Sequence, residues 1–179
     1  MLYLAWNLSQ LHFGSLMAVY ADANRENGRE AWPEEPEMRQ IQLAEEEFYR
    51  YLSQVFFKTP GAICAVWEES GRYVSALRLE PYRDGLLLEA LETDPGQRRR
   101  GYAAGLIEAV QTYLGEGGKL YSHVDKRNLP SLKTHEKCGF RRIADVAVYV
   151  DGSVNRKACT MCWDCLLYTS PSPRDTERS

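Results

Sequence analysis

Three groupings of residues in this chain have types and spacings that can do chemistry. The first is Arg98-Arg99-Arg100-Gly101-Tyr102-Ala103, set between an apolar run and a helical pattern. The opening turn of a helix leaves backbone N–H groups without partners, and the helix dipole is positive there. Such an end holds phosphate. Gly101 lets a ligand approach the backbone, Ala103 keeps the next turn small, and the arginines add charge. A helix start with a solvated basic turn reads the same way, so the segment alone does not decide.

The second grouping is the carboxylate pair Glu89 and Glu92 in the run just before that segment. Either can act as a general base. On a regular strand an offset of three puts them on opposite faces. Glu89 then shares a face with Leu91 and Thr93 and is the better candidate, although a solvated surface carboxylate fits equally well. The third grouping is His135 and His123, whose imidazoles can move protons near neutral pH. His123 lies on a strand pattern and can face either the site or the core.

A fourth pattern, Cys159-x-x-Cys162-x-x-Cys165, has metal-ligand spacing. Cys159 and Cys162 fall on a strand pattern, where the same offset of three separates them, so no metal site is expected. Cys138 precedes Gly139 and is expected to pack, not to act as a nucleophile.

The elements that must position these groups follow from periodicity. A helix is predicted over 8–24, ended by Asn27-Gly28, and a second over about 37–58, stopped by Pro60-Gly61. Strands are predicted over 62–67, 73–79 and 86–93, joined by turns at Glu69-Ser70-Gly71 and Arg83-Asp84-Gly85, as an antiparallel meander. A helix opens near Arg100 and closes at Gly115-Glu116-Gly117-Gly118. The next strand, 120–124, comes after a helix and is expected to lie parallel to 86–93. A short helix follows Asn128, and a hairpin over 144–150 and 157–163 turns at Asp151-Gly152.

With 179 residues, 44% hydrophobic and 26% charged, the chain has the composition of one ordinary globular domain. Its net charge of -3 argues against a general nucleic-acid binder. No apolar run reaches membrane-spanning length, and Met1–Trp6 lacks the marks of a signal peptide. The expected location is therefore the cytoplasm. The segment Cys165–Asp175 resembles the in-frame translation of a transposon-type sequencing adaptor, a string that ends unrelated metagenomic reading frames. The domain is accordingly expected over 1–164, with a non-native disordered tail over 165–179.

Arg98-x-x-Gly101-x-Ala103 resembles the (Gln/Arg)-x-x-Gly-x-(Gly/Ala) signature of the GNAT superfamily of N-acetyltransferases. The block from Asn128 to Gly139-Phe140 resembles the family's later motif, which has an asparagine, then usually a tyrosine seven residues on, then Gly-Phe. The resemblance covers about 62–163, the donor-site half. It implies an α/β (α+β) fold with a mostly antiparallel mixed sheet of about six or seven strands flanked by helices. It also implies direct acetyl transfer from acetyl-CoA to the amine of a small molecule or peptide, with no metal, by a monomer or homodimer.

In the family, backbone amides of the signature hold the donor's pyrophosphate. Carried over, these belong to Arg99, Arg100, Gly101, Tyr102, Ala103 and Ala104, with Arg98 opening the motif. Leu91 and Thr93 would pair with the pantetheine arm, and Asn128 would hydrogen-bond it. His135 stands where most relatives carry the tyrosine that protonates the leaving thiolate, and it is the candidate acid. That departure leaves a second reading, a non-catalytic acyl-CoA-binding or sensing module.

Overall fold

The computed structural model describes residues 1–164. Its elements run β1 (Leu2–Ala5), α1 (Phe13–Val19), α2 (Ala21–Ala31), α3 (Glu37–Gln54), β2 (Ile63–Glu69), β3 (Arg72–Tyr82) and β4 (Gly85–Thr93). They continue with α4 (Tyr102–Leu114), β5 (Lys119–Asp125), α5 (Leu129–Lys137), β6 (Arg141–Ala144), β7 (Ala147–Val148), β8 (Val154–Asn155) and β9 (Ala158–Asp164). The adaptor-like tail and Cys165 lie outside the described residues.

Seven strands form one sheet in the order β1-β2-β3-β4-β5-β9-β6. The expected α/β fold, a mixed and mostly antiparallel sheet flanked by helices, is therefore present. Strand alternation divides its side chains between two layers. Leu77, Leu79, Leu88 and Leu120 pack with Leu106, Ile107 and Val110 of α4 on one face. Cys64, Val66 and Ala76 pack with Leu16, Val19 and Leu52 of α1 and α3 on the other. Among the described residues, no helix is long and apolar enough to cross a membrane.

The meander β2-β3-β4 is antiparallel and, among the described residues, β4-β5 is the single parallel pair, both as expected. The parallel pairing covers only Leu86↔Leu120, Leu87↔Tyr121 and Leu88↔Ser122. Beyond it β4 continues to Thr93 and β5 to Asp125 without pairing with each other, so the strands part.

The Met1–Trp6 start, to which no element was assigned, forms β1 and pairs with β2. Three expectations are corrected. The helix predicted over 8–24 begins at Phe13 and breaks at Tyr20, whose phenol donates to the Ala90 carbonyl at 2.7 Å. Gly28 is not a stop but lies inside α2, where a Cβ would come within 2.4 Å of the Gln40 carbonyl oxygen. The glycine serves close helix approach there, which local sequence cannot distinguish from a C-cap.

The C-terminal hairpin is the third. The Asp151-Gly152 turn forms, with Gly152 at φ 84, but it joins the short pair β7-β8. β9 instead sits between β5 and β6, with Arg141↔Cys162 and Ala144↔Thr160. Cys159 and Cys162 pack in different core clusters, as strand alternation requires.

Candidate active site

The mouth of α4 is open. Gly101 caps the helix in the left-handed region at φ 80, with no side-chain hydrogen bond closing the first turn. Nothing lies within 4 Å of where its Cβ would be. Arg99 also has a positive φ of 64, so the loop turns its backbone sharply into the helix. A groove of about 670 Å³ leads away from this mouth.

The groove is lined by Leu91, Thr93, Arg98, Arg99, Gly101, Tyr102, Ala103, Ala104 and Asn128, nine of the ten donor-site residues named from sequence. Arg100 does not line it. The Arg98 guanidinium is engaged by Asp22 of α2 at 2.7 Å, with Glu92 at 4.0 Å. Both partners are half-exposed, so the pair contributes little stability, roughly 0–1 kcal/mol. It does fix the direction of the arginine.

The opposite wall was missed. Pro130, Thr134 and Lys137 of α5 face the groove, and Lys137 adds a cation there. Their i, i+4, i+7 spacing marks one helical face and was legible in the sequence. Asn128 caps α5 by accepting from the Ser131 amide at 3.2 Å and lines the groove as well, so cap and lining coexist.

The facing of the carboxylates is corrected by a β-bulge. The β3-β4 register shifts between Ala76 and Arg78, and Ala90 has φ 52. The extra residue puts Glu89 opposite Arg78 and Glu92 opposite Ala76. Ala76 packs in the α1–α3 layer, and the Arg78 guanidinium lies over the Phe48 and Tyr51 rings of α3. Glu89 and Glu92 therefore share that face, while Leu91 packs on the α4 side. A strict period of two breaks wherever a bulge inserts one residue.

Where β4 and β5 part, a cavity of about 170 Å³ passes between them. It adjoins the groove through shared Leu91, Asn128 and Ser131. Glu89 and His123 line it from one sheet face, Ser122 and His135 from the other. Burial pushes the Glu89 carboxyl up to about 7, against the pull of Arg78, with Glu80 adding to the rise. Its Oε1 is buried without a hydrogen bond.

His135 is 2% exposed and Ser122 3%. His135 Nδ1 donates to the Ser131 carbonyl at 2.7 Å, and Nε2 stands 2.9 Å from Ser122 Oγ. Burial holds the imidazole below its usual range, partly offset by the Ser131 carbonyl. Cys138 packs toward the Ala104 carbonyl, and burial raises its thiol to about 11, which leaves it protonated and inert. A hollow of about 570 Å³ outside α1 and α3, lined by Phe13 and Tyr49, shares no residue with either cavity.

The model of the Acetyltransferase (GNAT) family matches residues 18–140, well over half of the 179 residues. The chain belongs to this family.

Two of the solved acetyltransferase structures that the chain resembles agree with the fold. A spermidine N-acetyltransferase from Vibrio cholerae, in complex with CoA and spermine, is 17% identical with a TM-score of 0.59; the match covers 94% of this chain and 98% of that one. An aminoglycoside 6'-acetyltransferase type Ii is 16% identical with a TM-score of 0.57, over 97% and 99%. An acetyltransferase from Thermoplasma acidophilum is matched at 22% identity and TM-score 0.47, over 61% of this chain and only 40% of its own length. A comparison with curated proteins finds no significant match.

The GNAT signature and the open helix mouth fall on the same residues, Arg98 to Ala103. An acyl-CoA fits what is present: an uncapped helix start, a glycine with empty space above it, and a groove that adjoins the cavity at the parted strands.

Proposed function

We propose that this GNAT protein transfers the acetyl group of acetyl-CoA directly to a primary amine of a small molecule or peptide. One observation carries the reading: the groove at the open mouth of α4 adjoins, through Leu91, Asn128 and Ser131, a cavity that holds a carboxylate on one side of the sheet and an imidazole on the other. In this reading the amides of residues 99–104 hold the pyrophosphate, and Leu91, Thr93 and Asn128 hold the pantetheine arm. No metal takes part.

Glu89 is the general base. A carboxyl titrating near 7 is half ionised at neutral pH and well matched to taking a proton from an amine. As the C–N bond forms, the amine nitrogen passes one proton to Glu89. The C–S bond then breaks, and the thiolate takes a proton from His135, passed through the Ser122 hydroxyl that contacts Nε2. For this step the His135 ring takes up a proton from solvent, against the lowering that burial imposes, while its Nδ1–H stays anchored on Ser131. Developing negative charge on sulfur favours the imidazolium form. Glu89 and His135 afterwards exchange their protons with solvent.

The experiment is thiol release from acetyl-CoA over a panel of primary amines, with calorimetry of acetyl-CoA on the same sample. Release with at least one amine supports the enzyme. Tight acetyl-CoA binding with no release for any amine instead favours the binding or sensing module. Cytoplasmic location and a monomeric or homodimeric state are parts of the same proposal, read by fractionation and by light scattering.

A further inference from the structure

Three buried side-chain polar atoms among the described residues have no hydrogen-bond partner: Arg78 Nε, Glu89 Oε1 and His123 Nε2. Arg78 is enclosed by the rings of Phe48, Tyr51 and Phe56 at 5.3–5.6 Å and does not line the cavity between β4 and β5. Glu89 and His123 both do. Native folds rarely leave such atoms unpaired, and two residues that each carry one and line the same cavity point to a ligand that pairs them.

The two residues reach the cavity from the same sheet face, one on each of the parting strands. Glu89 follows Leu87 by two residues on β4, and Leu87 packs with Tyr82 and Tyr121. The His123 ring on β5 meets Tyr82 edge-on at 5.5 Å and Tyr149 at 5.3 Å, so its plane is fixed by aromatic neighbours. Burial, with Arg83 nearby, lowers its proton affinity, so the ring is neutral at pH 7. A neutral imidazole can offer a lone pair where an imidazolium cannot.

We propose that His123 Nε2 and Glu89 Oε1 together seat the acceptor nitrogen, which makes the acceptor a primary amine and His123 the residue that selects it. This rests on the acetyl-transfer reading above. A neutral primary amine has two N–H bonds. One proton passes to Glu89 as the C–N bond forms. The other stays on nitrogen in the product amide and goes on donating to His123 while the C–S bond breaks. A secondary amine has a single N–H, gives it to Glu89, and leaves His123 unpaired.

The test uses His123→Phe, which keeps an aromatic ring against Tyr82 and Tyr149 and removes the nitrogen. The probes are butylamine and N-methylbutylamine with acetyl-CoA. The KM for butylamine rises about tenfold, the worth of one hydrogen bond. The KM for acetyl-CoA and the melting midpoint stay unchanged, and the preference for butylamine over N-methylbutylamine disappears. His123→Gln, which restores an acceptor, recovers part of the preference. An unchanged KM for butylamine and an unchanged preference overturn the proposal.

Failure of the underlying reading looks different. If the wild-type protein binds acetyl-CoA but releases no thiol, acetyl transfer falls. The seat is then read by NMR of 15N-histidine-labelled protein titrated with butylamine. A moving His123 Nε2 signal supports it, and a stationary one overturns it.

Discussion

The Ser122 hydroxyl stands 2.9 Å from His135 Nε2, while Nδ1 of the same ring donates to the Ser131 carbonyl at 2.7 Å. The imidazole is therefore held at both nitrogens, and the serine that meets Nε2 lines the cavity beside it. Ser122→Ala is expected to lower kcat about tenfold or more with little change in the KM for acetyl-CoA, because it removes a relay and leaves binding intact. His135→Phe should lower kcat further. Steady-state kinetics of the two variants check this. Wild-type kcat in both removes the pair from the reaction.

Glu89 predicts a pH dependence with a definite sign. Its carboxyl is raised to about 7, so the ionised, base-competent fraction grows as pH rises through that value. The kcat/KM for the amine is expected to climb with a midpoint near 7. Glu89→Gln should lower the rate and flatten this limb. A limb that persists in the variant assigns it to another group.

The same shift predicts a stability effect of opposite direction. A carboxyl raised in the folded state binds more protons folded than unfolded between about 4.5 and 7, so stability falls as pH rises through that window. At pH 8 Glu89→Gln is expected to be more stable than the wild type by up to about 2 kcal/mol, and at pH 4 no more stable. Urea melts at the two pH values measure it. Less activity with more stability is the mark of a group strained for function.

Gly101→Leu fills the open space at the mouth of α4 and forces a side chain into the left-handed region. Acetyl-CoA affinity measured by calorimetry is expected to fall at least tenfold, with a backbone cost of about 1–2 kcal/mol. Unchanged affinity contradicts the cradle.

Gly28 tests the helix pair that covers the opposite face. A Cβ there would meet the Gln40 carbonyl oxygen at 2.4 Å. Gly28→Ala is expected to destabilise by about 1–3 kcal/mol through overpacking, although alanine is the better helix former. A thermal melt decides; a rise in the midpoint would show that α2 and α3 separate freely.

Much of this protein could be read from residue order. The open helix start at Gly101, the cap at Asn128, the meander and the parallel crossover are local or nearest-neighbour features, set by backbone freedom and by periods of 3.6 and 2. Eight of the nine donor-groove residues followed from one short motif and the strand before it, and Asn128 from a second motif at the start of α5. Long-range geometry was decided only by packing. The bulge at Ala90 turned Glu89 and Glu92 to one face, Tyr20 broke a helix by reaching a carbonyl seventy positions away, and β9 slid between β5 and β6. His123 and Ser122 joined the site because two strands part at one register. Such outcomes depend on which distant surfaces exclude water together, and the free energy of that choice is shared across the core and written in no single segment.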